Sequence, residues 1–473
     1  MKEYSLKELE EGLIKGKWTS VDLLDMYLER IYKYDQANYK INSIAEINPE
    51  VYQIAKNLDL ERKQKGPRSK IHGIPIVIKD NIITNDYMHT SANSVVFEDF
   101  YANDDAFIIK KLREAGAIIL GKANLSEFAY FMSFDDMPSG YGSRFGQVKS
   151  PYSKNIDPLG SSTGSAVAVA CNFIPVSIGT ETNGSLTAPS LNNSVDALKP
   201  SLGLVSRTGI IPISINQDTA GPLARTVEDL AIFMEYFYGY DNEDSATYEI
   251  KQKKIDFLNA TKIEIKNKRI GFIKFSNLKY NDEEKSIEEE AKARLKEIGA
   301  KIIDIDLKME AMPNHETLIY DFKVALNKFM SKYMKDYKVN TLKDIIEFNK
   351  KDFKKRLKYG QSIFEAAEET SGSLREAKYY NTFKDNLVKA NLFNETLTEK
   401  NLDCLVSIKR TSHAPIAGNP VVSVVAKALV DEKPKNLFFI GKMFTDDVIL
   451  SIANQYELAT NHRVAPDLDK LKG

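Results

Sequence analysis

The segment DPLGSSTGSAVAVACNFIPVSIGTETNGSLTAPSLNNSVDALKPSLGL, residues 157–204, holds two loops rich in glycine and serine. The loops are residues 160–165 and 179–185, and a segment of small apolar residues joins them. Ordering such loops is costly, because glycine loses more backbone freedom on folding than any other residue. Two of them so close together indicate that backbone approaches a ligand or that N–H groups converge on an anion. No acidic metal cluster or phosphate motif accompanies them, so their hydroxyl groups predict a hydrolytic site built from serines.

Apolar segments on both sides of this region predict an α/β fold. Residues 74–78 form a continuous apolar run between turn residues, which is typical of a strand buried on both faces. An amphipathic helix at 104–115 is followed by a glycine and a strand at 117–120, and another helix is expected to begin near Asn124. The order of helix, glycine and β-branched strand recurs at 284–305. This order predicts an open central sheet with helices packed on both faces.

Residues 315–400 have an almost wholly helical pattern, rich in lysine and glutamate and poor in glycine and proline. We interpret them as a helical layer or insertion that covers the sheet and shapes a substrate entrance; a solvated scaffold without that role is the alternative. No repeat, heptad run or low-complexity linker divides the chain. We therefore expect a single domain over residues 1–473, with this helical subregion inside it.

The composition excludes several classes of function. The 473 residues carry a formal net charge of -1, without the basic excess that a nucleic-acid-binding protein needs. The longest apolar run, 166–178, is interrupted by Asn172 and Pro175 and is too short to span a membrane. The two cysteines are too few for a disulfide framework or a metal site. The five histidines do not have the spacing of metal ligands, so no metal site is predicted. No signal peptide is visible, so we expect a cytoplasmic protein.

Lys79 is the first candidate for a catalytic group, because it follows the apolar run at 74–78 directly. Taken alone, a lysine there is more often a solvated charge at the end of a strand. If the strand is central, the ammonium is withdrawn from water, and neutrality at pH 7 requires a pKa about three units below roughly 10.4. Such a shift corresponds to on the order of 4–5 kcal/mol, within the range known for buried lysines. A neutral lysine can act as a base.

The loop at 179–185, GTETNGS, is the second candidate feature. Asn183 and Gly184 tolerate positive φ, so the loop can turn tightly after a strand. The N–H groups of Thr182, Asn183, Gly184 and Ser185 would then point into one concavity and form an oxyanion hole. Ser185 would stand at its end as a nucleophile, whereas an ordinary turn is the alternative interpretation.

The loop at 160–164, GSSTG, also fits the G-x-S-x-G pattern of a nucleophile elbow. That interpretation requires a strand immediately before the loop, followed later in the chain by an aspartate and a histidine. Residues 152–159 are a poor strand, and His413 and His462 are the only suitable histidines. We keep the elbow as a minor alternative.

Four motifs in register resemble the amidase signature family. They are residues 160–165, 179–185, 198–207 and 217–222, and the likeness extends from about residue 71 to residue 230. The sequences GTET and SRTGIIPI resemble the peptide-amidase-like branch most. The resemblance implies an α/β fold whose open central sheet is mixed and is covered by helices on both faces.

The resemblance also implies a Ser–cis-Ser–Lys triad. In that arrangement Ser185 is the nucleophile, Ser161 shuttles the proton from behind a non-proline cis bond, and Lys79 is the base. Ser162 would support the triad. No cofactor and no metal are implied.

The implied function is an amidohydrolase that cleaves a carboxamide C–N bond through a serine acyl-enzyme and releases a carboxylate and ammonia or amine. The substrate would be a small-molecule or peptide amide, with Phe131 and Met132 lining the acyl pocket, and the enzyme a monomer or homodimer. Two alternatives remain: a glutaminase-like subunit of a tRNA-dependent amidotransferase, which needs a partner protein, and a catalytically silent relative. Asn183 and the Leu186-Thr187 pair depart from the family pattern and leave the substrate open.

Overall fold

The fold was analysed in a computed structural model that describes residues 2–37, 39–427 and 434–471. Within these ranges eleven strands form one mixed sheet in the order β1-β3-β2-β6-β8-β7-β12-β13-β11-β9-β10, and β4 and β5 form a small hairpin. The strands are β1 (Ile44–Ile47), β2 (Pro75–Lys79), β3 (Ile118–Ala123), β4 (Tyr141–Gly142), β5 (Gly146–Gln147), β6 (Val176–Glu181), β7 (Asp196–Lys199), β8 (Thr219–Ala224), β9 (Arg269–Phe275), β10 (Lys301–Leu307), β11 (Cys404–Ser407), β12 (Val421–Lys427) and β13 (Lys435–Ile440).

Helices cover both faces of this sheet. They are α1 (Leu6–Ile14), α2 (Ser20–Arg30), α3 (Val51–Lys65), α4 (Phe107–Glu114), α5 (Glu127–Tyr130), α6 (Thr163–Ala170), α7 (Thr187–Asn192), α8 (Val227–Met234), α9 (Phe257–Ala260), α10 (Asp282–Glu297), α11 (Asn314–Tyr333), α12 (Leu342–Lys350), α13 (Phe353–Arg356), α14 (Ser362–Glu368), α15 (Ala377–Ala390), α16 (Leu392–Glu399), α17 (His413–Ala417) and α18 (Asp446–Thr460). None of the helices in the described ranges is long and apolar enough to cross a membrane.

Strand β2 lies inside the sheet, parallel to both β3 and β6. Successive side chains of a strand point to opposite faces, and here Ile76 and Ile78 pack into one hydrophobic core while Val77 packs into the other. All five residues of the strand are buried. The side chains of this strand therefore pack into two hydrophobic cores, one on each face of the sheet, as expected for a strand covered on both faces.

Helix α6 is buried on every side, because its residues are small and its neighbours approach closely. A Cβ atom at Gly164 would lie 2.3 Å from the carbonyl oxygen of Ser43. Two serines link α6 to β6: the Ser165 hydroxyl donates to Ile178 O at 3.0 Å, and the Ser177 hydroxyl donates to Ser165 O at 2.9 Å. These contacts fix the loop before α6 relative to the loop after β6.

Helices α11 to α16 occupy residues 314–399, the region in which the sequence predicts a helical layer. Aromatic packing joins them to the segment that follows β3: Phe131 contacts Phe322 with ring centroids 5.2 Å apart, and Phe128 contacts Phe364 at 5.0 Å. The division of the chain into one domain with a helical subregion stays a prediction.

The helix expected near Asn124 is only the single turn α5, and it is irregular. Phe128, Ala129 and Tyr130 all have positive φ, between 48° and 69°, which non-glycine residues rarely adopt. Tertiary contacts hold this conformation, because the Phe128 N–H donates to Ala92 O at 3.1 Å.

Candidate active site

Lys79 lies at the end of β2 with no exposed surface, surrounded by oxygen atoms from the two glycine- and serine-rich loops. Its Nζ donates to the hydroxyls of Ser161 at 2.8 Å, Ser162 at 3.0 Å and Thr180 at 2.8 Å. No carboxylate forms an ion pair with it in the part of the chain that the structure describes. The lysine therefore has hydrogen-bond partners without a counter-ion.

Burial lowers the pKa of Lys79 to about 7, because a charged ammonium is poorly solvated inside the protein. The negative charges of Asp218 and Glu181 oppose this effect and raise the pKa, without cancelling it. A lysine with a pKa near 7 is partly neutral at neutral pH, and a neutral amine has a lone pair that can accept a proton. This is the protonation state that a general base needs.

Ser161 and Ser162 connect the lysine to both loops. The peptide bond between Gly160 and Ser161 is cis. The Ser162 hydroxyl donates to Thr180 O and accepts from Thr180 N, at 3.0 and 3.1 Å. The Ser162 N–H donates to Ser185 O at 3.1 Å. The structure thus brings together the loops that carry the predicted triad residues.

Ser185 lies two residues before α7 and is partly exposed, whereas Ser161 is buried. In the described ranges its hydroxyl takes part in no hydrogen bond. The N–H groups of Thr182, Asn183, Gly184 and Ser185 likewise have no acceptor among the described residues. Four adjacent N–H groups without a partner, beside a partly exposed hydroxyl, leave room for the oxygen of a ligand.

The ends of this loop are fixed by side chains. The Glu181 carboxylate accepts from the N–H groups of Leu186 and Thr187, at 2.8 and 2.9 Å, where α7 begins. The Asn183 side-chain amide donates to the Ser412 hydroxyl at 3.0 Å, which fastens the loop to the segment after β11. Gly184 has a φ of +96°.

Gly184→Ala is expected to lower kcat by about 10- to 100-fold, since it disturbs N–H groups of the loop. An L-residue is strained at this φ, and its Cβ would lie 2.3 Å from the Arg410 guanidinium. Gly66→Ala is the matched control, because Gly66 has a φ of +83° with no atom within 4 Å of the Cβ position. It should lower the free energy of unfolding by about 1 kcal/mol and leave kcat unchanged.

The double substitution Gly184→Ala with Arg410→Ala relieves the clash and keeps the backbone strain. Part of the lost kcat should return in steady-state assays of the double variant. A single variant with wild-type kcat would show that the loop has no part in catalysis.

A cleft opens beside the site. Its polar end includes Asn81, Thr180 and Thr182. The lining also includes six charged residues, Arg207, Asp218, Glu243, Asp244, Lys328 and Lys332. Its apolar residues include Ala129, Ile210, Ile211, Pro212, Ile213, Ile215, Ala325 and Phe329. The last two of these residues belong to α11, so the helical layer forms part of the cleft.

Phe131 and Met132 lie in the hydrophobic core and are not among the described residues that line this cleft. Phe131 packs on Phe322, and the Met132 carbonyl accepts from Ile363 and Phe364 of α14. Ala129, in the same segment, does line the cleft. Contact of Phe131 or Met132 with a substrate stays a prediction.

The alternative of a nucleophile elbow is wrong. Residues 148–162 contain no strand, although an elbow requires one directly before its serine. His413 is stacked on Phe393, with ring centroids 4.6 Å apart, and His462 lies beside Glu290. No group of three or more metal-binding side chains is found in the described ranges.

Sequence reasoning missed Thr180 and Asp218. The Thr180 hydroxyl accepts from Lys79 and from Asn81 Nδ2, and the Asp218 carboxylate accepts from the Thr182 hydroxyl. Thr180 lies in the GTET motif, and alternation along β6 could have placed it on the face that Lys79 approaches. Asp218 lies in the motif at 217–222, but its contact with Thr182 depends on how two separate loops pack.

Comparisons with known proteins agree with these observations. The family model described as Amidase matches residues 22–440. A probable amidase of Arabidopsis thaliana is 33% identical over 477 residues, covering 98% of this chain and 92% of its own. The crystal structure of native peptide amidase from Stenotrophomonas maltophilia superposes with a TM-score of 0.93 at 34% identity, covering 99% of both chains.

One subunit of the glutamyl-tRNA(Gln) amidotransferase of Legionella pneumophila is 29% identical, over 98% of this chain and 99% of its own. The predicted mixed α/β fold and the likeness to peptide amidases are confirmed by the family match and the superposition. The chain belongs to the amidase signature family, and it is an amidase.

Proposed function

We propose that this amidase cleaves a carboxamide C–N bond through a serine acyl-enzyme, with Ser185 as nucleophile, Ser161 as proton shuttle and Lys79 as base. One observation carries the proposal: Lys79 is fully buried, has no counter-ion among the described residues, and its Nζ lies 2.8 Å from the Ser161 hydroxyl. A lysine in this state accepts a proton near pH 7, and serine needs a base to attack an amide.

In the first step, the neutral Lys79 amine takes the proton of Ser161 as Ser161 takes that of Ser185. The Ser185 oxygen attacks the amide carbonyl carbon, and the N–H groups of Thr182 to Ser185 stabilise the oxyanion. Ser162 and Thr180 hold the lysine so that its lone pair faces Ser161. The proton then returns through Ser161 to the leaving nitrogen, the C–N bond breaks, and an ester forms on Ser185.

In the second step, water attacks the ester and the same groups move the proton. The products are a carboxylate and ammonia or an amine. These steps use only side chains and main-chain N–H groups of the chain. The apolar residues that line the cleft fit the acyl part of a small-molecule or peptide amide, which agrees with the likeness to the peptide amidase of Stenotrophomonas maltophilia.

The experiment is a screen of the purified chain against primary amides, from short aliphatic and aryl amides to peptides with a C-terminal carboxamide, with detection of ammonia. We expect release from at least one apolar acyl amide or peptide amide. Labelling by a serine-directed fluorophosphonate, mapped by mass spectrometry, should occur at Ser185. Folded protein that releases no ammonia and takes up no label would support a catalytically silent relative.

A glutaminase-like subunit is the second candidate, favoured by the likeness to the Legionella pneumophila protein. Thr187 and Asn183, in the loop around the nucleophile, depart from the pattern typical of that branch. Co-purification from the native cell separates the two candidates: a stable heteromeric partner supports the subunit, whereas ammonia release by the isolated chain supports the free amidase.

The value of kcat/KM is expected to fall about tenfold per pH unit below pH 7. Burial lowers the pKa of Lys79 to about 7, so that acid converts the base into an ammonium that cannot accept a proton. Above that pH the amine is neutral and the rate reaches a plateau. A pH–rate profile of kcat/KM checks this, and a rate that stays constant down to pH 5 contradicts a lysine base.

A further inference from the structure

Residues 182–185, whose N–H groups would form the oxyanion hole, are called the oxyanion loop below. Its first residue, Thr182, is held by two consecutive residues that precede β8. Its hydroxyl donates to Asp218 Oδ1 at 2.5 Å, and its carbonyl accepts from Gln217 Nε2 at 3.1 Å. Asp218 itself lines the cleft, and both residues lead directly into β8, the strand next to β6. The loop is therefore anchored from outside its own sequence.

The Asp218 carboxylate accepts three hydrogen bonds from the protein. Its second oxygen accepts from the N–H groups of Ile213 and Ser214, at 2.8 and 2.9 Å. Asp218 is only 9% exposed. With three donors on two oxygens, the carboxylate connects Ile213 and Ser214 of the cleft wall to the oxyanion loop.

The connection continues into the helical layer. The Ser214 hydroxyl donates to Asp321 Oδ2 on α11, and Asp321 also accepts from the Tyr379 hydroxyl of α15, at 2.8 Å. The side-chain amide of Asn216 donates to the same carboxylate. A continuous set of hydrogen bonds thus runs from α15 and α11 through the cleft wall to the loop beside Ser185.

Asp218 also contributes charge to the site. Asp218 and Glu181 are the negative groups that act on Lys79, and Glu181 is tied to the start of α7. Burial raises the pKa of Asp218 to about 6, and the positive charge of Arg207, which is paired with Asp244, opposes this effect. Of the two carboxylates, Asp218 is the one that also touches the oxyanion loop through a side-chain hydroxyl.

We propose that Asp218 is a positioning residue of the amidase reaction: it fixes Thr182, and with it the oxyanion loop, and its negative charge acts on Lys79. This inference rests on the proposed roles of Lys79 and Ser185. Asp321 extends the same support to the helical layer. Asp218 acts through Thr182 and Lys79, not by contact with the reacting atoms.

Two substitutions separate position from charge. Asp218→Asn keeps an oxygen for the N–H groups of Ile213 and Ser214 and offers its amide to the Thr182 hydroxyl, so that mainly the charge is lost. The fall of kcat/KM on the acidic side of the pH profile, called the acid limb here, should move to lower pH by about half a unit to one unit. A nearby negative charge favours the ammonium form of Lys79, so its loss lowers the pKa of the lysine. At the plateau kcat should stay within about fivefold of wild type.

Asp218→Ala removes the anchor as well. We expect kcat to fall by about 10- to 100-fold while KM changes less than about threefold, because the loop binds charge that develops only in the transition state. Thr182→Val removes the hydroxyl and keeps the carboxylate, so kcat should fall with the acid limb unmoved. This variant provides the test if Asp218→Ala fails to fold.

Asp35→Asn is the matched control. Asp35 is a buried carboxylate that accepts from Ser43 N, the Ser43 hydroxyl and Ile44 N. Like Asp218, it thus accepts from one hydroxyl and two main-chain N–H groups. None of the partners of Asp35 belongs to the oxyanion loop or to the residues that hold Lys79. Its substitution should leave the acid limb and kcat unchanged.

The inference is overturned if the acid limb of Asp218→Asn coincides with that of wild type, or if Asp218→Ala and Thr182→Val both keep wild-type kcat. Failure of the proposed function would be recognised separately, as wild-type activity in Ser185→Ala or in Lys79→Met. A Lys79→Met variant that shows the expected loss of kcat/KM, together with an unshifted Asp218→Asn, would therefore reject only the role of Asp218.

Discussion

Ser185→Ala is expected to lower kcat by about 10⁴-fold or more, because it removes the atom that forms the acyl-enzyme. The hydroxyl makes no hydrogen bond within the described ranges and is partly exposed. Its removal should therefore change the free energy of unfolding by less than about 0.5 kcal/mol. Steady-state ammonia release and urea denaturation measure the two quantities on the same preparation.

Ser201→Ala is the control, and it should lower the stability of the protein without lowering kcat. The buried Ser201 hydroxyl donates to the Asp446 carboxylate at 2.6 Å, away from Lys79 and the oxyanion loop. Its loss should cost about 1–3 kcal/mol of stability and leave kcat of the folded protein within about twofold. A Ser185→Ala protein with the full wild-type rate refutes the nucleophile assignment.

Lys79→Met is expected to lower kcat/KM by about 10³- to 10⁴-fold, the usual contribution of a general base. Methionine has a similar length and fills the same buried space, so stability should change by less than about 2 kcal/mol. The remaining activity should lose the acid limb near pH 7, because the group that titrates there is absent. A pH–rate profile with an active-site titration measures both effects.

Lys122→Met is the matched control for a buried lysine. Lys122 lies on the neighbouring strand β3, is equally buried, and donates to the Thr90 hydroxyl at 2.9 Å. Its removal should cost about 1–3 kcal/mol of stability and leave the acid limb of kcat/KM in place. If the two variants had the same kcat/KM and the same pH profile, Lys79 would contribute only to folding.

Much of the site could be predicted from the sequence, because motif residues lie close together in the chain. The apolar run before Lys79 indicated a buried strand, and the structure places that lysine inside the sheet with no exposed surface. The glycine- and serine-rich loops meet, through the Ser162 N–H and the Ser185 carbonyl. The spacing of hydrophobic residues and the presence of turn residues can be read from a short stretch of sequence, and both indicate where strands and loops lie.

Contacts between distant segments could not be predicted in this way. The bond from Asp218 to Thr182 spans 36 positions, and the bond from Ser214 to Asp321 spans 107. The positive φ values of Phe128 to Tyr130 depend on tertiary packing that overrides local preference. The location of Phe131 and Met132 in the core, beside the cleft wall and not on it, follows from the same packing.

The most direct test is the rate at which a serine-directed fluorophosphonate labels Ser185 as pH is varied, with the site of labelling identified by peptide mapping. A neutral lysine hidden from water should activate the serine, so we expect the rate to rise with one ionisation near pH 7. The rise should disappear in Lys79→Met. Labelling at another residue, or a rate that does not depend on pH and is the same in Lys79→Met, would contradict the account.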